Sequence, residues 1–266
     1  MKRFLSLFLV LTCVVALVGC SNKAQDYKYN NLTNEQSLNE FCEVMTSHSV
    51  PSEDIDALLN FVRVYGKESY AEKNLHGDWK IAKTNEHLYD YDEAITSYSD
   101  SPFDDLSCRE AAFIIYNSFI KVPDNFEVNI NKDDSPLFSD LAILDLQKSQ
   151  MYYDCYEVLF CPFESEESVT DAVVKYWKSH NIEFKGEDVH LVTLFGKKDG
   201  KTINIHCGVL FENEDGTYFF EKTDPLMPYQ ISVFESFEDI KYYLINRPGE
   251  DDYKDKTVFI DYKVIN

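Results

Sequence analysis

The sequence predicts an α+β protein, helices first and an antiparallel sheet later, and three observations carry that expectation. Apolar residues recur at helical spacing through the first half of the chain, and from Asp188 onward the period falls to two. Between them lies one helix that is apolar on nearly every side. It starts at Ser107-Cys108-Arg109-Glu110, a Ser-x-x-Glu capping box, and runs apolar from Ala111 to Ile120. The rest of the chain is expected to pack around it.

The elements follow in order. Met1-Lys2-Arg3 precedes an apolar run from Phe4 to Val18 that closes on Leu17-Val18-Gly19-Cys20. A basic start, an apolar run shorter than the roughly 20 residues of a membrane span, and small residues before a cysteine describe a secretory signal. Its last four residues look like a bacterial lipobox, cut before Cys20, which then carries lipid. The organisation read from this is a signal peptide over 1–19, a lipidated Cys20 with a flexible tether over 20–34, and a single α+β domain over 35–266. Asn, Lys, Tyr and Ile usage points to a low-GC Gram-positive source, and so to the outer face of the plasma membrane.

Amphipathic helices are expected over Glu35–Ser47 and from Pro51-Ser52 to Gly66, the second burying Ile55, Leu58, Leu59, Val62 and Tyr65. Residues 66–103 are polar and aromatic and hold Trp79, His76 and His87. Beyond Pro123 an acidic loop precedes a short helix over 137–147, and Asp154–Phe160 alternates like a strand. Ser168-x-x-Asp171 caps a helix to about Ser179. Val189–Phe195, Thr202–Phe211, Tyr218–Lys222 and Tyr229–Phe234 read as strands, with turns at Asp199-Gly200 and Asp215-Gly216. Ser236-x-x-Asp239 opens a helix to about Ile245, and Val258–Val264 is the last strand.

Charge narrows the partners. Residues 1–19 hold two basic residues and no acidic ones, so their removal lowers the formal net charge of −22 by two, to −24. Such a chain repels nucleic acid and anionic lipid, so no nucleic-acid partner is expected and membrane attachment falls to the lipid on Cys20. Five cysteines remain after Cys13 and Cys20 are set aside: Cys42, Cys108, Cys155, Cys161 and Cys207. An odd number leaves at least one free thiol, and Cys108 is the candidate. Whether Cys155 and Cys161 pair is left open by the sequence.

Cys108 falls on the first helical residue, where unpaired N–H groups and the helix dipole stabilise a thiolate. Asp104, Asp105 and Glu110 place negative charge nearby and oppose it. Arg109 reads as a surface or loop-pairing residue. The second half supplies Ile205-His206-Cys207-Gly208-Val209-Leu210-Phe211 and then Thr217-Tyr218-Phe219-Phe220-Glu221-Lys222. A turn centred on Asp215-Gly216 sets 210 opposite 221; a four-residue loop over 213–216 sets 208 there. In either register Glu221 shares a strand face with His206, and a slip of one residue would substitute Asp224. A thiol becomes a competent nucleophile when an imidazole takes its proton and a carboxylate fixes that imidazole, so Cys108, His206 and Glu221 form the candidate triad. The Cys108 N–H is placed to meet an oxyanion. Cys207 lies on the strand face opposite His206, and His190 with His206 lacks a third ligand of suitable spacing, so no metal and no cofactor is expected.

A cysteine at the mouth of a buried helix, then His-x-Gly-Val-Leu opening a strand, then a polar residue on the next strand, resembles the papain-like NlpC/P60 superfamily. Its members mostly cleave peptide or amide bonds in cell-wall peptides. The resemblance implies a papain-like fold with Cys108 as nucleophile, His206 as base and Glu221 as orienting residue. Here Ser107-Cys108-Arg109-Glu110 stands where the superfamily usually has Asp-Cys-Ser-Gly. Taken whole, with its lipobox, Asn31-Leu32-Thr33-Asn34-Glu35, Ser107-Cys108-Arg109 and the His206 hairpin, the chain resembles a family of Gram-positive lipoproteins catalogued as domain of unknown function 4300. The functions implied are a surface-anchored cysteine hydrolase (peptidase or amidase) of wall peptides or a related amide, or a non-catalytic lipoprotein binding a wall component or partner on the same scaffold.

Overall fold

The computed structural model describes residues 24–98, 105–123, 126, 150–214, 216–224 and 226–265. The signal peptide, Cys20 and the helix expected over 137–147 lie outside the described residues.

The helices are α1 (Glu35–Ser47), α2 (Ser52–Tyr65), α3 (Ser69–Asn74), α4 (Tyr91–Tyr98), α5 (Cys108–Tyr116), α6 (Gln150–Phe160), α7 (Val169–Ser179) and α8 (Phe237–Ile245). The early strands are β1 (Asp26–Asn30), β2 (Lys80–Lys83), β3 (Ile120–Lys121), β4 (Phe163–Glu164) and β5 (Glu183–Phe184). The later ones are β6 (Val189–Lys198), β7 (Lys201–Asn213), β8 (Gly216–Lys222), β9 (Tyr229–Phe234), β10 (Lys254–Ile260) and β11 (Lys263–Val264).

One antiparallel sheet runs in the order β11-β10-β6-β7-β8-β9-β1-β2, with β4 added on β7, while β3 and β5 pair apart from it. Alternation along β6–β9 gives the sheet two apolar faces. Leu191, Phe195, Val209, Phe211 and Phe220 join a core with α1, α2, α5 and α6, whereas Val192, Leu194, Leu210 and Phe219 join Ile240 and Leu244 of α8. Helix α5 lies across β6, β7 and β8 and against α2, and all its residues but Arg109 are buried.

The caps act as expected. The Ser107 hydroxyl accepts from the Glu110 N–H while the Glu110 carboxylate accepts from the Ser107 N–H at 2.6 Å, and Ser168 and Ser236 cap α7 and α8 through Asp171 and Asp239. Turn chemistry sets the hairpins: Asp199 and Gly200 take φ of 52° and 78°, the left-handed pair that a two-residue β6–β7 turn needs.

Three expectations are corrected. Residues 26–30, read as part of the tether, form β1 between β9 and β2, so the sheet begins before residue 35. Asp154–Phe160, read as a strand, belongs to α6. Every residue there is buried, and a short run buried all round gives no period that separates strand from helix. Its Tyr152, Tyr156 and Phe160 close around Phe113 at ring-centroid distances of 4.6, 5.3 and 6.2 Å. Finally, Val258–Val264 is broken at Asp261 (φ 51°) into β10 and β11.

Candidate active site

The β7–β8 pairing sets Leu210 opposite Phe219, the second of the two registers weighed above, and so carries Gly208 level with Glu221. Only glycine fits there: a Cβ on Gly208 would sit 2.4 Å from the Phe220 carbonyl and 2.6 Å from the Phe219 ring. Two residues back, His206 pairs with Leu194 while Asn204 pairs with Phe195, leaving Ile205 as a bulge. Its effect is to turn Asn204 toward the α5 face and His206 toward the α8 face. On that face His206 Nε2 lies 2.7 Å from Glu221 Oε2.

Glu221 is held from three sides. Tyr243 of α8 donates its hydroxyl to Oε1 at 2.6 Å, and Arg247, just past α8, donates Nη1 to Oε2 at 2.8 Å. Arg247 Nη2 also donates to the Thr223 carbonyl. Burial pushes the Glu221 carboxyl up, but His206, Arg247 and Tyr243 outweigh it and keep the group below the usual glutamate range. Beyond Glu221, His206 also acts on Cys108, helping to hold its thiol low.

Cys108 is 6% exposed and His206 2%. The Cys108 thiol is held well below its ordinary value, first by a hydrogen bond from the Cys207 thiol, then by His206 and by the charge of Arg109, all acting against burial. In His206, burial and Arg247 pull the pKa down, yet Cys108 and Glu221 hold it above that of a free imidazole. The two shifts run in the directions that a thiolate–imidazolium pair requires. Other buried cysteines go the opposite way: burial pushes Cys155 up to about 12, and burial with the Cys108 contact raises Cys207. Cys42, Cys108, Cys155, Cys161 and Cys207 are all free thiols.

Thus His206 and Glu221 meet, and Cys108 lies within electrostatic reach of His206. Asp224 does not replace Glu221; it lines a neighbouring cavity of about 510 Å³ with Thr223, Tyr243, Arg247 and Glu250. Three features escaped the sequence reading. Arg109 is half-buried rather than fully on the surface. Burial pulls its pKa down, but Cys108 and Tyr156 hold it above the ordinary value. Cys207 faces α5 rather than α8, as its strand position requires, and still reaches Cys108 from there. Arg247 and Tyr243 are brought in by α8, 26 and 22 residues from Glu221, and no local motif announces them. The acidic flank is neutralised as well: Asp105 is paired with buried Lys222 and accepts from Tyr229 at 2.8 Å, and Glu110 is spent in the capping box.

A family model described as Domain of unknown function (DUF4300) matches residues 28–260. The chain belongs to this family. The match starts within β1 and reaches the end of β10, so it spans the sheet core and the positions of Cys108, His206 and Glu221. No curated protein and no solved structure matches the chain. Among the described residues no helix is long and apolar enough to cross a membrane, and no group of three or more His, Cys, Asp or Glu is placed to hold a metal ion.

Proposed function

We propose that the protein is a cysteine hydrolase of amide bonds, with a papain-like, NlpC/P60-type arrangement of Cys helix and His-bearing sheet. The observation that carries this reading is the buried His206–Glu221 pair, Nε2–Oε2 at 2.7 Å, acting on Cys108 at the start of α5. In the reaction the Cys108 thiolate attacks the amide carbonyl, and the Cys108 N–H at the helix start donates to the oxyanion. His206 passes its proton to the departing amine. It then takes one from the water that cleaves the thioester, while Glu221 keeps Nδ1 aimed at the sulfur. The cavity beside Thr223, Asp224 and Arg247 is the proposed approach for substrate. The lipobox at Leu17–Cys20 supports anchorage through lipid on Cys20 at the outer face of the plasma membrane, with cell-wall peptides as the substrate class and no nucleic-acid partner.

One observation favours the second reading, a non-catalytic lipoprotein that binds a wall component or partner protein: Cys108 and His206 are almost wholly covered. The test is to incubate the chain from residue 21 onward with soluble wall-peptide fragments and follow new amines by mass spectrometry. The hydrolase reading expects cleavage that Cys108→Ala and His206→Ala abolish. Absence of any cleavage across wall-peptide types, or cleavage that persists in Cys108→Ala, contradicts it.

A further inference from the structure

A second cavity, of about 680 Å³, opens between α1 and the β8–β9–β1–β2 end of the sheet and shares no lining residue with the Cys108 cluster. Its floor is apolar, made by Phe41 and Val44 of α1 with Ile231 and Val233 of β9. Into that floor points one misplaced donor. Asn30 of β1 is 1% exposed; its Oδ1 accepts from the Leu32 N–H at 3.1 Å, but its buried Nδ2 has no partner among the described residues. Asn30 lies opposite Ile231 in the β1–β9 register, so both side chains share the cavity face. Of the buried polar atoms without a partner among the described residues, Asn30 Nδ2 alone lines this cavity, and a buried amide N–H left unpaired calls for an acceptor from elsewhere.

The rim names the shape of that acceptor's carrier. Trp79 is 38% exposed, and its orientation is fixed: Nε1 donates to Glu40 Oε2 at 3.2 Å and the ring sits edge-on to Tyr218 at 6.5 Å. An exposed indole held in place offers an electron-rich face to the polarised C–H groups of a sugar ring. Below it, an acetamido substituent answers both demands of the floor. Its carbonyl accepts from Asn30 Nδ2, and its methyl group lies on Phe41, Val44 and Ile231. We propose that this cavity binds an N-acetylated hexosamine oligosaccharide.

The proposal stands apart from the hydrolase reading, since no Cys108, His206 or Glu221 atom takes part. The full chain from residue 21 would be titrated with N,N′,N″-triacetylchitotriose, following tryptophan fluorescence and heat. Trp177, the other tryptophan, is fully buried and lies outside this cavity. The expected result is saturable binding that perturbs tryptophan emission, at least about ten-fold weaker for cellotriose, which carries hydroxyls in place of acetamides. Trp79→Ala, a change at an exposed site, should abolish binding, and Asn30→Asp, which keeps the Leu32 acceptor and removes the donor, should weaken it by about ten-fold or more. Cys108→Ala should bind as the parent chain does. No binding of the triacetyl sugar, equal binding of cellotriose, or full retention in folded Trp79→Ala would overturn the proposal. If Asn30→Asp fails to fold, the Trp79 variant and the two sugars decide it.

Discussion

Lys222 has no access to solvent, and its ammonium is held by Asp105, by the Met227 carbonyl and by the faces of Tyr65 and Tyr229 at 3.9 and 4.3 Å. Asp105 stands three residues before Cys108, so this buried pair ties the start of α5 to the end of β8. Breaking one partner of such a pair strands a charge, and Asp105→Asn should therefore cost roughly 3–5 kcal/mol in denaturant unfolding. An unchanged unfolding midpoint would show that the pair is not what holds the helix start. At the same scale, Glu221→Gln keeps the shape beside His206 but removes the charge that sustains the imidazolium. Its thiol alkylation profile should move to higher pH, read as rate against pH with Cys108 followed by peptide mapping.

At the scale of elements, β6, β7 and the β10–β11 turn are pinned by a second histidine. His190 Nδ1 lies 2.7 Å from Asp261 Oδ2 and Nε2 lies 3.1 Å from Glu212 Oε1, while Asp261 Oδ1 accepts from the Leu191 N–H and the Tyr116 hydroxyl. Burial pulls the His190 pKa down, but the two carboxylates raise it on balance. A histidine raised in the folded state stabilises fully below its unfolded pKa of about 6.5 and loses that contribution as pH rises through the folded value. Parent stability should thus fall across that window, and His190→Gln should flatten the fall. Equal pH slopes in urea unfolding would refute the clip. These elements were readable in the sequence to differing degrees. The capped helices α1, α5, α7 and α8 and the hairpin strands were legible because caps, turns and periods are local chemistry. Helix α6 and the Asp261 break were not, since Asp154–Phe160 of the one is buried throughout and the other is fixed by contacts far along the chain.

For the whole molecule, the sheet's dependence on β1 sets where the folded unit starts. β1 fills the place between β9 and β2, and Tyr27 stacks on Phe234 at 4.9 Å. A chain starting at residue 24 should melt as the chain from residue 21 does, whereas one starting at 35 should lose several degrees or fail to fold cooperatively; equal melting would return residues 26–30 to the role of a tether. The candidate site divides in the same way. Cys108, His206 and Glu221 were legible because a cap fixes the first and strand alternation pairs the other two. Arg109, Cys207, Tyr243 and Arg247 complete it only once α6 and α8 close on the sheet.

In the proposed reaction Cys108 and His206 act as one ionised pair. The most direct measurement is the pH dependence of Cys108 alkylation in the chain from residue 21, compared with His206→Ala, with Cys108→Ala as the blank. Reaction well below the free-thiol pKa of about 8.5, slowed and shifted upward without His206, is the predicted result. A Cys108 that stays inert in the folded protein, or reacts identically without His206, would contradict it.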